Sequence, residues 1–464
     1  MVYEYDPSSF RDPSGRVFYQ NGEVFRELSE ESWPFFEELF ENGTIKELVK
    51  NGQLVESTSL ADSPQEFMQT SASKTVIWHK KIDWVTYPYE WPFSMLKKAA
   101  LLTLDLLEFL TRKELTLKDA SPYNVLFEGI EPVFIDLTSI QPLHRPFWQG
   151  YSQFCEGFLF PLMLSAHLEI PHCVAYSQSL AGLKLRDARR LFGIRSFLRP
   201  GVFRHVLLQA YFEKRFSKED VISIRHETNG LINKNFINAT VTNLTQTVHA
   251  LKAPFADGVW MDYVENNSYS KEAQAEKRVL VENWLRHKNF MSLVDIGCNT
   301  GIFSKIAAKY VQRVLAIDED HDCIEELYQS LQNTNINNIH PVVINFLEPS
   351  PARGWSNSER RSFTDRIQAS AFLALALIHH IVIAGDIPLC NFAKVLKNIA
   401  PCGIVEWIER DDPMVQAMMA GRDKSFGTYT YGHFLAAFDP HFNIAEQIDT
   451  NNPHRKLIVL NGSP

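Results

Sequence analysis

The stretch LVDIGCNTGIFS, residues 293–304, joins an apolar run to a helical pattern through an acid, two glycines and an asparagine. Gly297 allows a tight turn with close backbone approach, and Gly301 leaves backbone N–H groups available at the start of the next helix. In open α/β sheets, ligands bind beyond the carboxyl ends of the strands, which is where this loop falls. The spacing is not G-x-G-x-x-G, so a pyrophosphate cradle is a poor match.

Helices alternate with short buried strands from about residue 276 onward. This alternation predicts a parallel sheet with helices on both faces. The last two strands follow each other without a long helix, which indicates an antiparallel closing pair. The predicted strands are SLVDIGC, RVLAIDE, HPVVINF, AFLALAL, GIVEWIE, NIAEQID and KLIVL.

A second acid follows the glycine loop at the tip of the next predicted strand. Asp318 ends that strand about 20 residues after the loop, where an acid can hold both hydroxyls of a ribose. No phosphate-binding lysine accompanies the pair. The combination points to a nucleoside cofactor without phosphates, and S-adenosyl-L-methionine fits that description.

These two motifs, LVDIGCNTGIFS and VLAIDED, resemble the first two motifs of class I S-adenosylmethionine-dependent methyltransferases. The similarity covers roughly residues 260–464 and implies a Rossmann-like, seven-stranded α/β domain. It also implies a set of cofactor-binding residues. They are Asp295, Gly297, Cys298, Asn299, Gly301, Asp318, Asn345, Tyr269 and Lys277.

The same resemblance assigns a part of the cofactor to each of these residues. The loop residues line the methionine end, Asp318 binds the ribose, and Asn345 lies against the adenine. Tyr269 and Lys277 precede the first strand and are expected to cover the cofactor. A plain amphipathic helix explains Tyr269 and Lys277 equally well.

The acceptor side is expected after the fourth strand, which leads into His379 and His380. Imidazole titrates near neutral pH, so both residues are candidates for a general base, although either could pack beneath a helix instead. The chain lacks an NPPY-like stretch, which slightly favours methylation of oxygen. The acidic run at 406–412 could recognise a cationic or hydroxylated acceptor, but such a run is more often a solvated loop.

The front half begins with a hairpin pattern around Asn-Gly at 14–28, a helical pattern at 29–50 and an amphipathic helix at 92–113. Asp119 and Asn124 then have the spacing of the catalytic loop of protein kinases and aminoglycoside phosphotransferases. Residues ~10–215 resemble that α+β fold, with Asp136 at the position of its metal-binding acid.

The front half departs from this family in several places. It has no glycine-rich phosphate loop, Leu117 replaces the usual histidine, and Arg26 is the available substitute for the strand lysine. Asp119, Asn124 and Asp136 therefore either hold a metal and phosphate or form structural hydrogen bonds in a degenerate fold. The departures favour the degenerate alternative, and no other metal site is expected.

The predicted domains are a kinase-like region at 1–215, an irregular connection at 216–259 and a methyltransferase domain at 260–464. The arrangement, including PVFIDLTSI, YSQFCEGFLFPL, ALALIHHI and DDPMVQ, resembles a family of long bacterial methyltransferase-like proteins, some of them nodulation-related. The family does not specify an acceptor.

Composition sets further limits on the function of the chain. The 464 residues carry a net charge of −9, which argues against general nucleic-acid binding. The six cysteines form no CxxC pair, and the N-terminus is acidic and polar, so we expect reduced thiols, no signal peptide and a cytoplasmic location. The most apolar run, 370–385, is too short for a membrane span. Oligomeric state is not specified.

The leading hypothesis is S-adenosylmethionine-dependent methyl transfer, with the front half shaping or recognising the acceptor. One alternative is a bifunctional enzyme whose front half is an ATP-dependent phosphotransferase. Another is a non-catalytic protein that senses S-adenosylmethionine.

Overall fold

The computed structural model describes residues 4–60, 75–145, 147–193, 196, 198–211, 234–254, 271–420, 422 and 426–462. The chain divides into two compact units. The first comprises Met1–Phe127, Glu131–Ala256 and Ala352–Arg361, and the second Glu128–Ile130, Asp257–Pro351 and Ser362–Pro464. The main division between them falls within the connection expected at 216–259.

The first unit begins with a five-stranded antiparallel sheet in the order β1-β2-β3-β5-β4. The predicted Asn-Gly hairpin is confirmed, because β2 and β3 pair on either side of Asn21 and Gly22. These two residues have φ of 52° and 83°, and the common type of two-residue hairpin turn requires a positive φ at both positions. The strands are β1 Glu4–Tyr5, β2 Gly15–Gln20, β3 Glu23–Leu28, β4 Ser57–Ser59 and β5 Val76–His79.

Two helices lie between β3 and β4 in the chain, where the sequence showed one helical pattern. They are α1 Trp33–Glu41 and α2 Thr44–Lys50. Gly43 separates them because its φ of 77° is left-handed, which ends the first helix.

The rest of the first unit is built around the predicted amphipathic helix α3, Phe93–Arg112, whose apolar face is buried. Two short strand pairs follow: β6 is antiparallel to β9, and β7 pairs with β8. These strands are β6 Leu115–Leu117, β7 Val125–Glu128, β8 Glu131–Phe134 and β9 Ile140–Pro142. The further helices are α4 Tyr151–Phe154, α5 Phe160–Leu168, α6 Leu185–Phe192 and α7 Lys234–Ala250, with π-helical turns at Cys155–Leu159 and Val202–Leu208.

Helix α7 corrects the sequence interpretation, which assigned 216–259 to a linker or irregular connection. Four apolar residues at helical spacing are buried on one face of α7, namely Ile237, Val241, Leu244 and Val248. The many Asn and Thr residues between them have low helix propensity, and burial of this apolar stripe outweighs that preference.

The second unit is a seven-stranded sheet in the order β12-β11-β10-β13-β14-β16-β15. The first five strands of this order are parallel, and β16 is antiparallel to both of its neighbours. This confirms the predicted parallel sheet with an antiparallel closing pair, the mixed α/β sheet typical of class I methyltransferases. The strands are β10 Ser292–Ile296, β11 Arg313–Asp318, β12 Ile339–Val343, β13 Ala371–Ala374, β14 Gly403–Ile408, β15 Phe442–Asp449 and β16 Arg455–Gly462.

The helices of the second unit connect these strands and follow the predicted alternation. They are α8 Lys271–Arg286, α9 Ile302–Ala307, α10 His321–Gln332, α11 Phe363–Arg366, α12 Leu389–Ile399, α13 Pro413–Ala420 and α14 Tyr431–Phe438, with a π-helical turn at His380–Ala384. Within the described part of the chain, no helix is both long and apolar enough to cross a bilayer.

Strand order reverses beside β10, which lies between β11 and β13. Ligands of open α/β sheets bind at such a reversal, beyond the carboxyl ends of the strands. The glycine loop after β10 and the loop after β13 therefore lie at the expected ligand edge. The β13 strand is shorter than predicted: it ends at Ala374, and Ala376 has a left-handed φ of 51°.

Candidate functional site

The glycine loop after β10 is tightly wound and anchored to the neighbouring strand. Gly297, Asn299 and Gly301 have φ of 74°, 49° and 74°, all in the left-handed region. The Gly297 N–H donates to the carbonyl of Ile317 over 2.9 Å. A Cβ at Gly301 would lie 2.5 Å from Cδ1 of Leu327. The two glycines thus combine a backbone conformation and a close approach that other residues tolerate poorly.

Asp318 lies at the tip of β11 and is brought against this loop. Its Oδ2 accepts a hydrogen bond from the backbone N–H of Asn299 over 2.8 Å, and its Oδ1 accepts from the N–H of Asp320 over 3.0 Å. Burial raises the pKa of Asp318, and these two N–H donors oppose the shift. The structure therefore joins the two motifs that the sequence analysis singled out.

Asp295 lies beneath the loop and is almost completely buried. The hydroxyl of Ser304 donates to its Oδ2 over 2.6 Å. Burial raises the pKa of Asp295 to about 6, although the hydrogen bond from Ser304 opposes that shift. Cys298 is also buried, with its thiol against the carbonyl of Asn299, and burial raises its pKa well above the usual value.

Asn345 follows β12, next to the strand that carries Asp318, and its side chain is exposed. Its Oδ1 accepts from the backbone N–H of Leu347 over 2.8 Å. The side chain therefore stabilises its own turn at the ligand edge. Tyr269 lies outside the described residues.

Lys277 projects from α8 into the interior rather than toward solvent. It is buried, its ammonium donates to Oε2 of Glu406, and Nζ lies 5.1 Å from the centroid of the Phe303 ring. Phe303 belongs to the first turn after the glycine loop. Lys277 is thus near the loop, but its charge is paired with a buried carboxylate.

The acidic run at 406–412 is not simply the solvated loop that the sequence favoured. Glu406 and Asp412 are buried, and Arg455 of β16 lies between them. Its Nε is 2.9 Å from Oδ2 of Asp412, and its Nη1 is 3.7 Å from Oε1 of Glu406. Sequence reasoning missed Arg455, although the single glutamate within the apolar strand GIVEWI was a signal that a buried partner existed.

The two histidines after β13 differ in their exposure to solvent. His379 is buried, its Nδ1 has no hydrogen-bond partner among the described residues, and burial lowers its pKa to about 3. His380 is exposed; desolvation lowers its pKa, while the carboxylates of Glu319 and Asp318 act to raise it. Of the two, His380 therefore lies on the accessible surface within the electrostatic reach of the β11 tip.

In the first unit, Asp136 is enclosed by hydrogen-bond donors. Thr138 Oγ1 and Arg26 Nη1 lie 2.7 Å and 3.0 Å from its Oδ1, and Ser139 Oγ donates to its Oδ2. Asn124 Nδ2 is 3.5 Å from the same Oδ2. Both carboxylate oxygens are therefore engaged by groups of the protein itself.

Asp119 belongs to the same cluster. Its Oδ1 accepts from the N–H of Ser121 over 3.0 Å, and burial together with the charge of Asp136 raises its pKa. The structure thus places Asp119, Asn124 and Asp136 close together. Across the described ranges, no group of three or more His, Cys, Asp or Glu side chains has the arrangement of a metal site.

Comparison with known proteins gives one relative over most of the chain. Nodulation protein NoeA of Rhizobium meliloti (strain 1021) is 32% identical over 432 residues, covering 92% of this chain and 90% of NoeA. No protein-family model matches.

Solved structures match a smaller part of the chain. The N-methyltransferase NodS from Bradyrhizobium japonicum WM9, in complex with S-adenosyl-L-homocysteine, is 15% identical and covers 45% of this chain and 93% of NodS, with a TM-score of 0.30. A SAM-dependent methyltransferase from Aquifex aeolicus is 13% identical and covers 44% of this chain and 98% of its own, also with a TM-score of 0.30.

Proposed function

We infer the function from two premises: this chain belongs to the family of the nodulation protein NoeA, and its second unit joins a glycine loop to an acid at a strand tip. We propose that it transfers a methyl group from S-adenosyl-L-methionine to an acceptor, with the cofactor held by the second unit. The observation that carries the proposal is the hydrogen bond from the glycine loop to the strand-tip acid, Asn299 N–H to Asp318. It lies where strand order reverses in a seven-stranded mixed sheet.

The residues at this edge fit a nucleoside cofactor. Asp318 retains acceptor capacity beyond its two backbone donors, so its carboxylate would hold the ribose hydroxyls. The left-handed loop at 297–301 would cradle the methionine end, and Asn345 would contact the adenine. When bound, the cofactor supplies an electrophilic methyl group on its sulfonium.

The contribution of the protein is then positioning, exclusion of water and proton transfer. For a hydroxyl acceptor, His380 would orient the acceptor oxygen and take its proton, while the bound cofactor would supply the methyl group and leave as S-adenosylhomocysteine when its sulfur–methyl bond breaks. His380 suits this role because it is exposed and because desolvation lowers its pKa, which leaves the imidazole neutral and able to accept a proton, while the charges of Glu319 and Asp318 stabilise the protonated form that results. His379 is too deeply buried to reach an acceptor, and we assign it a structural role.

We propose that the first unit is a kinase-like fold that recognises the acceptor without phosphorylating it. On this proposal, Arg26 on β3 is the counterpart of the kinase lysine, which normally pairs with a helix glutamate and the phosphates. Here Arg26 pairs with Asp136 instead, and both oxygens of Asp136 are engaged. A metal would have to displace these donors.

The second candidate function is a bifunctional enzyme with phosphotransferase activity in the first unit. The observation that favours it is the clustering of Asp119, Asn124 and Asp136, because these residue types hold the metal and position the substrate hydroxyl in kinases.

The deciding experiment is calorimetric titration with S-adenosylhomocysteine and, separately, with ATP plus magnesium. The proteins are wild type, Asp318→Asn, Asp136→Asn and the control Asp449→Asn, which alters an exposed carboxylate that pairs with Lys456 at the surface. Wild type and control should bind S-adenosylhomocysteine alike. Asp318→Asn should bind about 10–100-fold more weakly, the effect of one charged hydrogen bond.

Each outcome selects one function. A wild-type protein that gives no heat with S-adenosylhomocysteine would overturn the methyltransferase proposal. Binding of magnesium ATP that disappears in Asp136→Asn would establish the bifunctional alternative. Cofactor binding without transfer of label from methyl-labelled S-adenosylmethionine to any of a panel of hydroxylated acceptors would indicate a sensor.

A further inference from the structure

Glu406 is the one charged residue in β14, an interior strand of the sheet with the sequence GIVEWI, and it is completely buried. Burying a carboxylate is strongly unfavourable unless it is paired and hydrogen-bonded. The groups that compensate its charge therefore show which parts of the fold depend on it.

One oxygen of this carboxylate accepts hydrogen bonds from two donors that belong to different segments of the chain. Oε2 accepts from the ammonium of Lys277 on α8 and from the backbone N–H of Ala376 over 2.7 Å. The other oxygen, Oε1, lies 3.7 Å from Nη1 of Arg455. One side chain in the sheet thus links α8, which precedes the glycine loop, to the loop that follows β13.

Ala376 has an unfavourable backbone conformation that a hydrogen bond from outside the loop can stabilise. Its φ of 51° is left-handed, a conformation that is unfavourable for a residue with a Cβ and persists only when the surroundings enforce it. The hydrogen bond to Glu406 supplies such enforcement. Because Ala376 is three residues before His379, its conformation sets the course of the chain into both histidines.

The same loop also touches the glycine turn. A Cβ at Gly297 would lie 3.2 Å from Cδ1 of Leu377, the residue that follows Ala376. On the other side, Lys277 lies over Phe303, and its charge favours the ionised form of Asp295. The contacts of Glu406 therefore reach the cofactor side and the acceptor side of the candidate site.

We propose that Glu406 is a positioning residue: it holds residues 375–380 over the glycine turn through the N–H of Ala376, and Lys277 orients its carboxylate. The inference rests on the proposed function, because that function makes this loop the acceptor side. Because Glu406 is completely buried, we assign it a positioning role through its partners rather than a contact with the cofactor or the acceptor.

The test compares two double variants, Lys277→Met/Glu406→Leu and Lys277→Met/Glu406→Gln. Each removes both members of the buried ion pair, so neither charge is left without the other. The glutamine variant keeps a side-chain oxygen that can accept from Ala376, whereas the leucine variant has none. Hydrogen–deuterium exchange of residues 375–380 and calorimetry with S-adenosylhomocysteine are measured on both variants and on wild type.

The leucine variant should exchange at 375–380 about tenfold faster than wild type, and its affinity for S-adenosylhomocysteine should fall about tenfold, because the loop loses a net hydrogen bond of this size. The glutamine variant should restore most of the protection at 375–380, and it should bind S-adenosylhomocysteine more tightly than the leucine variant. Equal exchange in the two variants would overturn the proposal, since a purely structural role of the ion pair predicts no difference between them.

Wild type alone provides a second measurement that does not depend on how the variants fold. Its Ala376 amide should be the most protected in the loop, and exchange as fast as that of exposed loop amides would also overturn the proposal. If wild type does not bind S-adenosylhomocysteine, the methyltransferase function fails, while the exchange comparison still decides whether Glu406 positions the loop.

Discussion

The backbone N–H of Asn299 donates to Oδ2 of Asp318 over 2.8 Å, which ties the loop after β10 to the tip of β11. A second N–H, from Asp320, fixes the other carboxylate oxygen. The acid is therefore held in one orientation by the backbone itself. Such preorganisation reduces the entropy that a ligand must overcome on binding.

Gly301→Ala should destabilise the second unit by about 1–3 kcal/mol, because Gly301 has a φ of 74° and a Cβ would lie 2.5 Å from Cδ1 of Leu327. Urea denaturation measures the free energy of unfolding. The matched control is Gly432→Ala in α14, where nothing lies within 4 Å of the added Cβ. There the change should be neutral or slightly stabilising. Equal losses at both positions would contradict the strain argument.

The contribution of Asp295 to stability should decrease as pH rises. In the folded chain its pKa is about 6, against 3.8 for an ordinary aspartate, so between these values the folded state binds more protons than the unfolded state. Its contribution is full below pH ~4 and is lost as pH rises through ~6. Relative to wild type, Asp295→Asn should gain about 1–3 kcal/mol across this window. Denaturation of both proteins at several pH values measures the gain, and a constant difference would refute it.

Asp136→Asn should lower the free energy of unfolding by about 2–4 kcal/mol, because it leaves the buried guanidinium of Arg26 without its carboxylate partner. The control is Glu131→Gln, which breaks the more exposed pair with Lys98 and should cost less than ~1 kcal/mol. Urea denaturation compares the two. If Asp136→Asn proved as mild as the control, the carboxylate would not be a structural partner of Arg26.

His379 should remain neutral throughout pH ~5–8, since burial lowers its pKa to about 3. His380 should titrate below the usual histidine range, because desolvation lowers its pKa. Nuclear magnetic resonance of labelled histidine follows both imidazoles, with His379→Gln and His380→Gln assigning the signals. Titration of His379 near neutral pH would show that it is accessible and would reopen its assignment as a general base.

Local patterns specified most of the second unit. The glycine loop, the acid at the end of β11 and the alternation of strands and helices follow from residues close together in the chain, and the structure has them in the predicted order. The hairpin around Asn21 and Gly22 was equally local, because positive φ at both positions is a property of those residue types. Helix α7 was missed because its many Asn and Thr residues have low helix propensity. Its apolar residues stabilise the helix only through their burial against the rest of the first unit.

The sequence by itself determined which segments of the second unit form strands, where the carboxyl edge of the parallel strands lies, and which acids end the strands there; β15, expected to be buried, is mostly exposed at the sheet edge. Only the tertiary structure decided that Glu406 pairs with Lys277 and Ala376, and that His379 is enclosed while His380 is exposed. The physical reason is the distance along the chain over which a sequence pattern carries information. Periodicity records which side of an element avoids water, but the partner of a buried charge is chosen by three-dimensional proximity, and Lys277 is 129 positions from Glu406 in the chain.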